Sequence, residues 1–178
     1  MSGRAEAGSR GRGQALVEFA IIIPLFLVLL MGILDFGRVV WATTSLASSA
    51  REAARYAIVH GGSATDLCPA GPPGPDSLRS DTTPPSVVAS ASCPYPSPSR
   101  QSIIDAATTA ALAGGSNLTV AVCYGVGCSG STDTAGATNA RGQSVTVTVT
   151  STVNLVTPGL LGRPSYNLSG SATMLVNH

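Results

Sequence analysis

The chain contains no lysine; all ten of its basic residues are Arg. That excludes a Walker A phosphate loop, whose Lys reaches the terminal phosphates, and neither His-Glu-x-x-His nor Gly-x-Ser-x-Gly occurs. Charge of either sign is sparse, at 11% of 178 residues, and the formal net charge is +1. Beyond residue 13, seven Arg stand against eight carboxylates, so the basic face that phosphate-backbone binding requires is missing and nucleic acid is not an expected partner. Histidine is limited to His60 and His178, neither at metal-ligand spacing from a cysteine, and no two carboxylates are placed by sequence for acid–base work. The expectation is a chain that is not an enzyme, with no catalytic residue, cofactor or metal.

Cysteine is absent from the first 67 residues, and no Cys-x-x-Cys is found among Cys68, Cys93, Cys123 and Cys128. An even number on one side of an apolar run suggests disulfides formed in an oxidising compartment, with free buried thiols as the alternative. Of the three possible pairings, Cys68 with Cys93 and Cys123 with Cys128 is the economical one. It closes one Pro-rich loop and one tight Gly-containing loop.

What the chain does have is a long hydrophobic run, QALVEFAIIIPLFLVLLMGIL, from Gln14 to Leu34. Between Ala15 and Leu34 only Glu18 is ionisable, and at the helical rise those residues cover about 30 Å, the thickness of a bilayer's hydrocarbon core. The run is too long for the apolar part of a typical signal peptide and no clear Ala-x-Ala site ends it, so a retained membrane span is expected. Residues 1–13 carry three Arg among Gly, Ser and Ala and read as an irregular basic leader. Arg10 and Arg12 beside the span favour an N-terminus in the cytoplasm and a C-terminal part outside it.

After the span at 14–37, helical periodicity continues over 38–60. Val39, Thr43, Leu46, Ala50, Ala53 and Ala57 fall on one stripe, and Gly61-Gly62 supplies a stop. A single helix from Ala15 to Val59 is predicted, kinked at Pro24. The stripe can pack on the chain's own sheet or on helices of other subunits. Residues 61–100 hold nine of the twelve prolines and form a loop without assignable structure. Within 101–178, Ser102 and Asp105 have the spacing of a capping box for a helix over SIIDAATTAALAGG. Its apolar face is Ile103, Ile104, Ala107, Ala111 and Leu112. Strands are predicted over Leu118–Tyr124, Ser144–Leu155 and Leu168–Val176, the middle one alternating Val with Thr. The fold class is thus α+β, with a long N-terminal transmembrane helix continuing into a small extracytoplasmic domain of one short helix and a roughly three-stranded antiparallel sheet.

Glu18 is the sharpest single residue. A carboxylate in a membrane span costs about 2.5–3.5 kcal/mol at the bilayer centre and less near the interface. Either Glu18 sits shallow and reaches the headgroups, or it pairs with a positive amino terminus created by cleavage after Gly13.

A basic leader ending in Gly13, then Gln14, Glu18 with aromatic Phe19, and a continuous apolar helix, looks like the processing site of type IV prepilins. The fuller string RGQALVEFAIIIPLFLVLLMGILDFGR, followed by AREAARYA, resembles the TadE-like family of the Tad (tight adherence) pilus apparatus, from Arg12 to about Ala57. The resemblance implies a pilin-like minor subunit, cut between Gly13 and Gln14 by a membrane prepilin peptidase. Glu18 and Phe19 would then serve helix packing and assembly. Its implied partners are the lipid bilayer, other pilin-like subunits and the pilus assembly platform, and its place is the cytoplasmic membrane and the pilus. Gln14 departs from the apolar aromatic or Met that major pilins carry there. The alternative is an uncleaved, membrane-tethered extracellular binding or adhesion module.

Overall fold

A computed structural model describes residues 9–62, 70–71, 100–111, 116–156 and 165–177. Helix α1 (Ser9–Val59) runs without interruption through Pro24. It begins inside the segment expected to be irregular, so the last residues of the basic leader, Ser9 to Gly13, are helical. Its outer half tolerates Ser and Thr because their hydroxyls bond back to the preceding turn. Thr43 and Thr44 donate to the Val40 carbonyl at 2.8 and 2.9 Å, and buried Ser49 donates to the Leu46 carbonyl at 3.0 Å.

Helix α2 (Gln101–Ala110) is shorter than expected and lacks the predicted capping box. Its N-cap is Arg100, with no side-chain cap bond, and Ser102 is buried within the first turn, beside α1. Asp105 accepts from Gln101 Nε2 at 3.0 Å. Ile103 and Ala107 are buried and Ile104 packs beside them, as the apolar face requires, while Leu112 lies outside the described residues.

Three strands follow: β1 (Ser116–Tyr124), β2 (Ser144–Asn154) and β3 (Ser165–Leu175). They form one antiparallel sheet in the order β1-β2-β3. Alternation along β2 is strict: Val145, Val147, Val149, Ser151 and Val153 are buried, and the intervening Thr residues are not. The inner face covers α1 and α2. The outer face is a ladder of hydroxyls and amides, with Thr146 bonded to Thr173 at 2.9 Å, Thr148 to Ser171 at 3.3 Å, and Thr152 donating to Asn167 Oδ1 at 2.9 Å. Between Ser116 and Thr119 the register shifts, and Asn117 adopts φ 68°, the left-handed region that Asn tolerates better than most residues. The last strand starts three residues earlier than expected, at Ser165.

The core lies where the stripe on α1 meets the sheet. Leu46, Ala50, Ala53, Ala54 and Ala57 face Val145, Val147, Val149, Val122, Tyr124 and Val176. The stripe therefore packs on the chain's own sheet. Small side chains let the two backbones approach, as at Gly170, where a Cβ atom would stand 2.5 Å from backbone atoms of Leu46 and Ala47.

Candidate assembly surface and the domain it carries

The first half of α1 leaves the domain entirely. From Gly13 to Leu34 every residue is exposed, so Leu16, Phe19, Ile21, Leu25, Leu29 and the rest of the run bury nothing within the chain. This is one helix long and apolar enough to cross a membrane. Burying such side chains is worth about 1.5–3 kcal/mol each, so the surface demands lipid or other helices. Gly13, Gln14, Glu18 and Phe19 all lie on it. Glu18 is one turn beyond Gln14 on the same side of the helix, and among the described residues nothing bonds to its carboxylate.

Asp35 ends the exposed run. It is 3% exposed, and its carboxylate accepts the backbone N–H of Val156, at 2.9 Å to one oxygen and 3.1 Å to the other. This contact ties the end of β2 to the helix at the point where the apolar run stops. The available signal was an acid directly after an apolar run, a costly position without a partner. Its partner, 121 residues away, could not be read from the sequence.

The opposite end of the domain is held differently. Asn177 donates its backbone N–H to the Ile58 carbonyl and Gly62 donates to the Asn139 carbonyl. The His60 ring stacks on Tyr56 at 3.8 Å with Nδ1 2.9 Å from the Tyr56 carbonyl, a helix-end packing role. Cys123 and Cys128 form a disulfide here. The expected Cys68 to Cys93 bridge lies outside the described residues. Asp133 joins this loop to α2: its carboxylate pairs with Arg100 and accepts the Tyr124 backbone N–H at 2.9 Å, and Arg100 also donates to the Ser131 carbonyl. None of these groups lies near Gly13 or Glu18. The structure places Gly13, Gln14, Glu18 and Phe19 together on one helix and sets the Cys123–Cys128 disulfide at the far end of the domain.

Tyr124 is fully buried, and its hydroxyl finds no hydrogen-bond partner among the described residues. Burial pushes the phenol up, with Arg100 opposing and Asp133 reinforcing the shift. Because the folded state raises this group above its ordinary value near 10, the stability linked to it is intact below about pH 10 and is lost as pH rises further. Tyr124→Phe is expected to leave stability at neutral pH unchanged or raised by about 1 kcal/mol and to flatten the alkaline limb of an unfolding-versus-pH curve. A clear loss of stability in Tyr124→Phe at pH 7 would mean that the hydroxyl is bonded.

An open groove of about 450 Å³ between α1 and α2 is lined by Glu52, Tyr56, Ser102, Asp105 and Thr109. Among the described residues no group of three or more His, Cys, Asp or Glu could hold a metal ion.

Residues 13–55 match the family model described as TadE-like protein. The matched segment takes in the whole exposed run and most of the α1 stripe, and stops before α2 and the sheet. No curated protein and no solved structure matches the chain.

Proposed function

We propose, from a helix that matches TadE-like proteins over residues 13–55, that this chain is a membrane-anchored, pilin-like minor subunit that aids biogenesis of a Tad-type pilus. One observation carries the reading. A single helix divides into a wholly exposed apolar half bearing Glu18 and a half whose small side chains hold a compact sheet. Such a division suits a protein stored in a bilayer by its first half and transferred into a helical assembly through the same surface. On this reading Arg10 and Arg12 stay in the cytoplasm and the domain stands outside the membrane. A prepilin peptidase cuts between Gly13 and Gln14, and the partners are lipid, other pilin-like subunits and the assembly platform.

The test is the intact mass and N-terminal sequence of the protein purified from membranes of its own host. A chain beginning at Gln14 is expected. Retention of residues 1–13 in a cell with an active prepilin peptidase would overturn the pilin mechanism and leave a fixed anchor carrying an external domain.

A further inference from the structure

We infer that the domain does not stand clear of the membrane but is seated on it, through an apolar collar made of Phe36, Val40 and Trp41 from α1 and Val156, just beyond β2. The partner is the lipid headgroup layer. This rests on the reading of Ala15–Leu34 as a membrane span.

Three observations converge at one height. First, Asp35 follows the last apolar residue of the span, and its bonds to the Val156 N–H hold that residue within a side chain's length of the same level. Second, Val156, two residues beyond the end of β2, is 53% exposed, and Phe36 and Trp41 are 71% and 65% exposed. These groups sit on the helix and on the segment that leaves the sheet after β2, so the apolar surface at the base of the domain is not a stripe along one helix. Third, the surface is continuous with the exposed run below it, which has the same need for a non-aqueous neighbour.

Distances along the helix agree. Trp41 lies six residues beyond Asp35, about 9 Å of rise, and helical side chains lean towards the N-terminus, which here is towards the membrane. A headgroup layer is about 5–8 Å deep on each side of the hydrocarbon, so an indole leaning down from Trp41 reaches it, where Trp is commonly found. Exposed Arg38 lies at the same level, suited to lipid phosphate. Asp35 brings no free charge into the layer, because its carboxylate is turned inward onto the Val156 N–H. A second protein chain would also cover apolar groups. A lipid surface covers both elements at once at a fixed height, and the span already places it there.

Trp41 is the only tryptophan, which makes the test direct. The full chain is reconstituted in phosphatidylcholine–phosphatidylglycerol vesicles, alongside Trp41→Phe carrying Val156→Trp. Quenching is then read with lipids brominated near the headgroup. Blue-shifted emission and quenching at position 156 comparable with that at Trp41 are expected. Adding Asp35→Ala should weaken quenching at 156, and in the parent background should leave quenching at Trp41 unchanged. A water-exposed, unquenched Trp at 156 beside a quenched Trp41 would overturn the seating while leaving the span intact. Blue-shifted but unquenched emission at 156 would also overturn it, in favour of a protein contact. Failure of the chain to partition into vesicles at all would instead sink the membrane reading beneath it.

Discussion

Gly170→Val is expected to destabilise the domain more than any other single change on the sheet. A Cβ at this position would lie 2.5 Å from the Leu46 carbonyl carbon and the Ala47 nitrogen, and 2.6 Å from the Leu46 oxygen. All three are backbone atoms of α1, which cannot rotate aside as the tip of a side chain can. The requirement is for space rather than for a left-handed conformation, since Gly170 is not among the positive-φ glycines. Overpacking a core by a methylene costs about 1–3 kcal/mol, and the rigid neighbour here puts even Gly170→Ala at the upper end of that range. Valine adds two further carbons where β3 crosses the helix. Domains of this kind have about 5–15 kcal/mol in total, so the valine variant is expected to lose most of its folded population or to accumulate with α1 separated from the sheet. Denaturant unfolding in detergent, followed by near-ultraviolet circular dichroism, would show this, with Ser169→Ala on the outer face as the neutral control. A Gly170→Ala midpoint equal to that of the natural chain would show that helix and strand are not in backbone contact.

Glu18→Ala carries the largest expected effect on function, and its two consequences have opposite signs. Removing a carboxylate from a span makes insertion easier by up to about 2.5–3.5 kcal/mol, so membrane levels of the variant should be equal or higher. Assembly should nevertheless be lost. On the proposed mechanism the amino group freed at Gln14 lies one helical turn, about 6 Å of rise, from Glu18, in its own chain or a neighbour's. The pair offsets the desolvation cost and sets the register of packed helices. Glu18→Gln keeps the shape without the charge and should fail equally. Counting surface pili in cells that produce normal amounts of the variant tests this. Normal piliation with Glu18→Ala would remove the residue from the mechanism.

The parts of the fold governed by periodicity were readable. The Val–Thr alternation of β2 is reproduced residue by residue in burial, and the stripe from Leu46 to Ala57 faces the core because steps of three and four keep one side of a helix together. Element ends were read less well, since they depend on what the flanking residues meet. Ser102 has capping chemistry, but it lies inside the first turn beside the groove between α1 and α2, and α2 begins at Gln101 without it. The start of β3 is not marked in the sequence, because Ser165, Tyr166 and Asn167 carry no apolar alternation. They are strand because β2 extends far enough to pair with them. Gly13, Gln14 and Glu18 are legible as a spacing, and the structure adds that the helix starts early enough to carry all three on one exposed surface. For Asp35 only the need for a partner is legible, and Gly170 gives no signal at all. Each is defined by a partner more than 120 residues distant, and no local pattern encodes that.

The sheet is bonded to α1 at both ends, by Asp35 to Val156 and by Ile58 to Asn177, and β3 runs in the same direction as the helix between them. A tensile load applied to the N-terminal half of α1, such as drawing it out of a bilayer, therefore acts along the helix–sheet seam and not across it. In that loading mode the seam is sheared, and its contacts must yield together. Peeling would release them one at a time. Resistance to force then depends on the barrier to that joint rupture rather than on equilibrium stability alone. The domain can be towed by its helix as one rigid load.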